Sequence, residues 1–327
     1  MKCLVVGGAG YIGSHMVKHL GDAGHHVTVF DNLSSGFAQA VVRGSLIKGD
    51  LADTALITQV LREHAIEAVI HFASSIQVGE SSVNPAKYYR NNVVHTLNLL
   101  DAMRATNVKR IVFSSTAAVY GEPQSVPIPD DHPRQPINPY GRTKAMVEDV
   151  LRDYHSAYGL ASFSLRYFNA AGADPDGEVG ERHDPETHLI PLILQVASGR
   201  RRSIAVFGRD YDTPDGTCIR DYIHVTDLAR AHELALMTLA DQGGCHACNL
   251  GTGHGYSVAQ IIAAVERVTG SRITIEGQAR RPGDPARLVA DASRTAAILG
   301  WQPVMSDLDT IIAHAWAWEK SLAAGMA

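Results

Sequence analysis

Residues 3–13, CLVVGGAGYIG, run from a short apolar segment straight into closely spaced glycines, and helical periodicity follows. Ile12, Met16, Leu20 and Ala23 fall on one face, Gly24 ends the pattern, and HVTVFDN at 26–32 reads as a second strand. Strand, glycine turn, helix and strand in so short a space make a βαβ unit, whose two strands must lie parallel in one sheet. Gly7, Gly8, Gly10 and Gly13 satisfy both G-x-x-G-x-x-G and G-x-G-x-x-G. Glycines there permit a sharp turn, close approach of backbone N–H groups to a pyrophosphate, and tight packing of helix on strand. Asp31 ends the second strand eighteen residues past Gly13. A carboxylate at that point accepts from adenosine ribose hydroxyls and repels a 2′-phosphate, which favours NAD over NADP.

The theme recurs along the first half. IEAVIHFA (66–73), RIVFSS (110–115) and ASFSLRYF (161–168) are near-continuous apolar runs separated by helix-length spacers. Strands buried on both faces look like this, so the expected fold class is α/β, a Rossmann-type doubly wound parallel sheet. KGDLAD (48–53) follows a third strand and sets Asp50 and Leu51 beside an adenine site. After Phe168 the chain turns rich in Gly, Pro and acids, NAAGADPDGEVGERHDPETH at 169–188, which reads as a boundary loop. Residues 1–168 are thus expected to form an NAD-binding domain. Residues 169–327 are expected to form mainly a smaller substrate-binding domain, with some segments returning to the sheet. Within it, Ser257 reads as the N-cap of a helix running to Gly270, and a further helix runs from Asp291 toward Gly300.

Composition narrows the function classes. A chain of 327 residues, 45% hydrophobic with formal net charge −5, has no basic block longer than GRRR at 199–202. It therefore lacks a nucleic-acid footprint. The apolar run at the N-terminus breaks into glycine too early for a signal peptide or membrane span, and the expected location is cytoplasmic. Cys3, Cys218, Cys245 and Cys248 suit a reduced compartment. Cys245 and Cys248 form a C-x-x-C within a short strand, where alternation points the thiols to opposite faces. No second Cys/His pair has metal spacing, and no metal site is expected.

Chemistry is suggested by SSTAAVYG (114–121) and YGRTK (140–144). Tyr140 and Lys144 are i and i+4 and share a helix face, continued by Val147, Leu151, Tyr154 and Tyr158. An ammonium and a positive nicotinamide near the first turn of that helix would both favour the phenolate and draw a Tyr pKa down from about 10. Such a Tyr is a general base near neutral pH.

Taken together, GGAGYIGSH, DNLSSG, GDLAD, VIHFA, VGES, NNV, FSSTAAVYGE, NPYGRTK, LRYFNAAGA, RDYIHVTDLARAH, NLGTG and RRPGDPA cover essentially the whole chain. In these motifs the sequence resembles the UDP-glucose (UDP-galactose) 4-epimerases of the extended short-chain dehydrogenase/reductase family. The resemblance implies Thr116 as catalytic hydroxyl, Tyr140 as base and Lys144 as its support. It implies an NAD site built from Gly7, Gly10, Tyr11, Ile12, Gly13, Asp31, Asn32, Ser35, Asp50, Leu51, Phe72, Ala73, Asn91, Ser114 and Phe168, with Tyr140 and Lys144. A UDP-sugar would lie against Thr116, Tyr140, Asn169, His188, Leu189, Phe207, Arg220, Arg281, Asp284 and Leu288, the arginines facing the diphosphate. Related dehydratases carry an Asp-Glu pair after the hydroxyl, whereas this chain has Ala117 and Ala118. A 4-keto intermediate would find no acid or base there to eliminate water, leaving return of the hydride and net epimerisation. Departures from the pattern are Ile76, a lysine in some relatives, and His188, often Asn. An epimerase of another UDP-sugar, a nucleotide-sugar dehydrogenase or dehydratase, and a catalytically silent nucleotide sensor are the alternatives. The family also implies a homodimer.

Overall fold

The computed structural model describes residues 1–281 and 283–325. Its centre is a seven-stranded sheet containing β1 (Lys2–Val6), β2 (His26–Asp31), β3 (Ser45–Lys48), β4 (Ala68–His71), β5 (Arg110–Thr116) and β6 (Ala161–Tyr167). The seventh strand, Cys245–Leu250, comes from late in the chain. The order is Cys245–Leu250, β6, β5, β4, β1, β2, β3, and every neighbouring pair is parallel. The chain winds one way from β1 to β3 and the other way from β4, so a switch point opens between β1 and β4 at their C-terminal ends.

Alternation along the strands divides the core. Cys3 and Val5 face one side of the sheet and pack with Met16, Val17, Leu20, Leu228 and Leu236. Leu4 and Val6 face the other and pack with Ile57, Leu61, Leu99, Met103, Val147 and Leu151. Both faces are covered by helices, which is why these strands are continuously apolar. Each fully buried Leu, Ile or Val contributes roughly 1.5–3 kcal/mol.

A further core joins Ile190, Ile193, Leu194, Val206, Ile261, Val265, Ile311 and Ile312. Its helices form as their ends dictate. The helix Val258–Thr269 opens on a capping box between Ser257 and Gln260 and closes on Gly270 in the left-handed conformation. The last short helix begins at Ser293, because Asp291 is held out of it: its N–H donates to Ile128 O and its carboxylate accepts from Ser293 N–H. The segment expected as a boundary loop begins instead with a short strand, Asn169–Ala171, parallel to Tyr222–His224. Three residues of Asn and Ala are too few to show a strand period. Cys245 and Cys248 do lie on a strand; Cys248 is fully buried, and Cys245 accepts from the Ser162 hydroxyl.

Among the described residues, no helix is long and apolar enough to cross a membrane.

Candidate active site

The glycine turn after β1 is fixed by space. Gly7 has φ +79°, and a Cβ there would sit 2.5 Å from Ala73 N; a Cβ on Gly13 would sit 2.1 Å from Gly7 O. A Cβ on Gly10, by contrast, would meet only Gly7 O, at 3.5 Å. It is also the N-cap of the Tyr11–Asp22 helix, with no side chain capping the helix N–H groups. Unfilled donors and an open approach at a helix N-terminus suit a pyrophosphate. The Asp31 carboxylate stands at the end of β2, accepting from Ala9 N–H (2.9 Å) and Leu33 N–H (2.8 Å), with lone pairs left for ribose hydroxyls. Asn32 donates to Asp50 at 2.7 Å, and the next residue, Leu51, is buried. These residues fit a dinucleotide. Ser35 is exposed nearby, Ile12 packs against the sheet core, and the Tyr11 hydroxyl donates to Gly172 O at 2.7 Å.

Across the switch point, Phe72 and Ala73 follow β4. Asn91 donates to Asn92. Asn92, which motif reading passed over, accepts from Ser75 N–H (2.8 Å) and donates to Ser75 O (3.0 Å) and Thr143 Oγ1 (3.1 Å). It ties the loop after β4 to the helix carrying Lys144. Greater burial is what distinguishes it from Asn91, and NNV alone does not show that.

Thr116 is the last residue of β5, and its side chain accepts from Ala118 N–H at the start of the Ala117–Val119 turn. The helix Pro139–Tyr158 begins beside it, capped by Asn138 with Pro139 in its first turn. A Cβ on Gly141 would lie 2.4 Å from Ala118 O. The glycine after Tyr140 therefore lets the helix start close against the Thr116 turn. Removal from water pushes the Tyr140 phenol above its ordinary pKa, while a hydrogen bond with Thr116 acts the other way. The expectation that the ammonium lowers this pKa is thus not met by the protein alone, because burial dominates. Lys144, 1% exposed, donates to Ser74 Oγ at 2.7 Å and Ser114 O at 2.8 Å, and lies 4.8 Å from the centre of the Phe113 ring. Burial pulls it down to about 7, opposed by the Glu148 charge. Ser114 Oγ in turn meets the Tyr167 hydroxyl. Glu148, one turn beyond Lys144, holds Arg166 through both oxygens and accepts from Ser115 and Arg134.

The other wall is made of charged residues. Arg220 pairs with Asp284, which also receives the Tyr211 hydroxyl at 3.5 Å, and the Arg281 guanidinium lies 3.9 Å from the centre of the Phe207 ring. Leu288 joins the two walls: it is the register partner of Arg220 and packs with Phe168 against Ala117, Val119 and Tyr120. Asn169 donates its N–H to Asp221 O. Leu189 packs mainly against the C-terminal core, and Ile76 is 43% exposed.

His188 contacts Glu181. Burial works against its charge, but Glu181 and Glu186 outweigh that and push it up to about 9. With His183 these residues bring donor atoms within 4.8 Å of one another, a Glu-x-His-x-x-Glu-x-His grouping that a search for Cys/His pairs overlooks. A second acidic group, Asp174, Asp176 and Glu178, surrounds the Lys18 ammonium at 3.1, 2.7 and 3.2 Å.

Residues 3–251, which carry this glycine turn together with Thr116, Tyr140 and Lys144, match the NAD dependent epimerase/dehydratase family. The chain belongs to that family. Like its members it is an NAD-dependent enzyme. The UDP-glucose 4-epimerase of Halalkalibacterium halodurans is 51% identical, the match covering 98% of this chain and 96% of the relative. The crystal structure of UDP-glucose 4-epimerase from Brucella ovis in complex with NAD superposes with a TM-score of 0.94 at 54% identity, over 96% of this chain and 97% of that one. The enzyme from Bifidobacterium longum in complex with NAD+ and UDP gives 0.95 at 40% identity, over 99% and 100%.

Proposed function

We propose that this chain is an isomerase, an NAD-dependent UDP-glucose 4-epimerase interconverting UDP-glucose and UDP-galactose through a transient 4-keto sugar. One observation carries the reading: Thr116 and Tyr140 meet at the C-terminal end of β5, while the turn that follows Thr116 offers only Ala117 and Ala118. Relatives named for this activity, alike over nearly the full length, support it.

In this reading the Gly7–Gly13 turn and Asp31 hold the cofactor, with Asn32, Asp50 and Leu51 around the adenine. Bound NAD supplies a hydride acceptor that later returns the hydride, so the reaction has no net redox change. Thr116 bridges the sugar C4 hydroxyl to Tyr140, whose phenolate takes the proton and afterwards gives it back. Lys144 stabilises that phenolate and binds the nicotinamide ribose. Ala117 and Ala118 offer no group for eliminating water. Arg220 and Arg281 receive the diphosphate, exchanging Asp284 and the Phe207 face for phosphate oxygens. Asn169, His188, Leu189 and Leu288 line the sugar and uridine side.

Residues 1–168 act as the cofactor domain and 169–327 mainly as the UDP-sugar domain. We place the enzyme in the cytoplasm as a homodimer. The exposed apolar residues Val94, Met146 and Tyr158 on the packed segments 89–105 and 139–158 are the face that supports the dimer.

Incubation with UDP-glucose, UDP-N-acetylglucosamine and UDP-xylose separately, with products identified by NMR, tests the assignment. UDP-galactose as the main product is expected. A dehydrated sugar, or no conversion of UDP-glucose, contradicts it.

A further inference from the structure

The one fully buried lysine of the site has no carboxylate within ion-pair distance among the described residues. Glu148, the nearest candidate on its own helix, is taken up by Arg166, Arg134 and Ser115. Two of the three ammonium hydrogens are satisfied by neutral oxygens, the Ser114 carbonyl on β5 and the Ser74 hydroxyl just past β4. A backbone carbonyl cannot be varied by side-chain substitution; Ser74 can. The serine is also held in place. Its neighbour Ser75 is clamped through both backbone groups by Asn92, which reaches Thr143, the residue before Lys144. Asn92 belongs to a π-helical segment, Tyr89–Val94, and such wide turns often mark functional positions.

We propose that Ser74 is a positioning residue for the epimerase reaction: its hydroxyl oxygen keeps the Lys144 ammonium charged and aimed, leaving the third ammonium hydrogen for the cofactor and the positive charge beside Tyr140. The inference rests on the epimerase reading above.

The neighbourhood gives the sign. Facing Lys144 are the Phe113 ring on β5, His71 on β4, and Tyr140 and Glu148 on its own helix. Burial and then the Lys144 charge push His71 down to about 3, so it stays neutral across the working range. Tyr167, on β6, is pushed up by burial and does not ionise there. Lys144, already lowered to about 7, is therefore the group facing this site whose charge is lost as pH rises through neutrality. Loss of an acceptor that favours the charged form lowers its pKa further. The ammonium then disappears at lower pH.

Turnover of UDP-galactose measured across pH in Ser74→Ala should show the alkaline limb of kcat moved to lower pH by about one unit, the scale of one hydrogen bond to a charged group. KM should change little. Ser74→Thr, which keeps the hydroxyl, should retain the original limb, and Ser74→Cys, nearly isosteric but a poor acceptor, should behave like Ser74→Ala. The second readout is the 13Cε shift of Lys144 in protein labelled with [ε-13C]lysine, assigned with Lys144→Met, which should titrate lower in the Ala and Cys variants. An unmoved limb and an unmoved Lys144 titration, with only thermal stability reduced, overturn the proposal. If the unsubstituted protein fails to epimerise, the functional reading falls, and the Lys144 titration still decides whether Ser74 holds the ammonium.

Discussion

The two walls of the cleft are built on opposite electrostatic plans. On the sheet side Thr116 and Lys144 are buried and Tyr140 is half-buried, with Lys144 fixed by neutral hydrogen bonds and Gly141 pressed against the Thr116 turn. On the far side Arg220, Arg281 and His188 are kept in place by carboxylates and an aromatic ring. Under the proposed function the difference follows from what each wall would do. Proton transfer needs groups whose geometry and pKa are set before substrate arrives, which burial provides. Diphosphate recognition needs full positive charge, and pairing each cation with a replaceable partner keeps that charge from being stranded in the free protein.

The largest effect expected from this contrast lies on the sheet side. Tyr140→Phe should reduce turnover by roughly 10²–10⁴-fold, the usual contribution of a general base, with fold and bound NAD nearly unchanged. Near-normal turnover in that variant removes Tyr140 from the chemistry. On the charged wall, Arg220→Met should raise KM for the UDP-sugar by roughly 10–100-fold, the worth of a hydrogen bond to a charged group, and alter kcat much less. Equal losses in kcat would mean that the two walls are not separate in function.

Leu288, which touches both walls, should give a smaller effect. In the proposed site its side chain limits the sugar pocket without offering a polar contact. Leu288→Ser should raise relative activity toward N-acetylhexosamine nucleotides and Leu288→Tyr should lower it, each by about 1–3 kcal/mol of discrimination. Identical relative kcat/KM values for the two sugar types in all three proteins would take Leu288 out of specificity.

Stability against pH sharpens the comparison further. Burial holds His15, His224 and His232 down to about 4 and, with Lys144, His71 to about 3. An unfolded chain takes up protons on these residues below about 6.5 while the native one does not, so stability should fall from about pH 6.5 toward 4. His188 has the opposite sign. Its raised pKa contributes stability that is complete below about 6.5 and lost as pH rises through about 9. Above neutrality Lys144 works against this loss, because the unfolded chain holds a proton on it between about pH 7 and 10.5 that the native chain has given up. Replacement of His188 by Gln should therefore remove only the His188 contribution, so that the stability difference between the unsubstituted protein and the variant shrinks as pH rises from about 6.5 to 9; a difference that does not change with pH would show that the Glu181 pair contributes nothing.

The sheet was legible because its strands are buried on both faces and its glycines obey steric rules that leave few alternatives. β1, β2 and the switch-point turn lie where period and punctuation placed them. The helix of Tyr140 and Lys144 follows from spacing in the same way. What escaped depends on contacts between distant segments. Ser74 lies seventy positions from Lys144, and the Asn92 clamp and the Glu148–Arg166 pair join separate elements. The raised Tyr140 pKa escaped for a related reason. Spacing shows that a lysine is near, but not that desolvation outweighs it. Arg220, Arg281 and Asp284 came from resemblance, since a surface arginine carries no period, and only the fold reveals that Arg220 and Asp284 are paired.

The central claim is a reaction with no net redox change, run on a cofactor that stays in place. It is tested most directly by dialysing the freshly purified protein, supplying UDP-galactose with no added NAD, and following UDP-glucose and NADH together. The account predicts continued conversion to UDP-glucose, no NADH accumulating in step with product, and NAD released only when the protein is denatured. A requirement for stoichiometric NAD+, with NADH formed in proportion to product, would contradict it and make the enzyme a dehydrogenase.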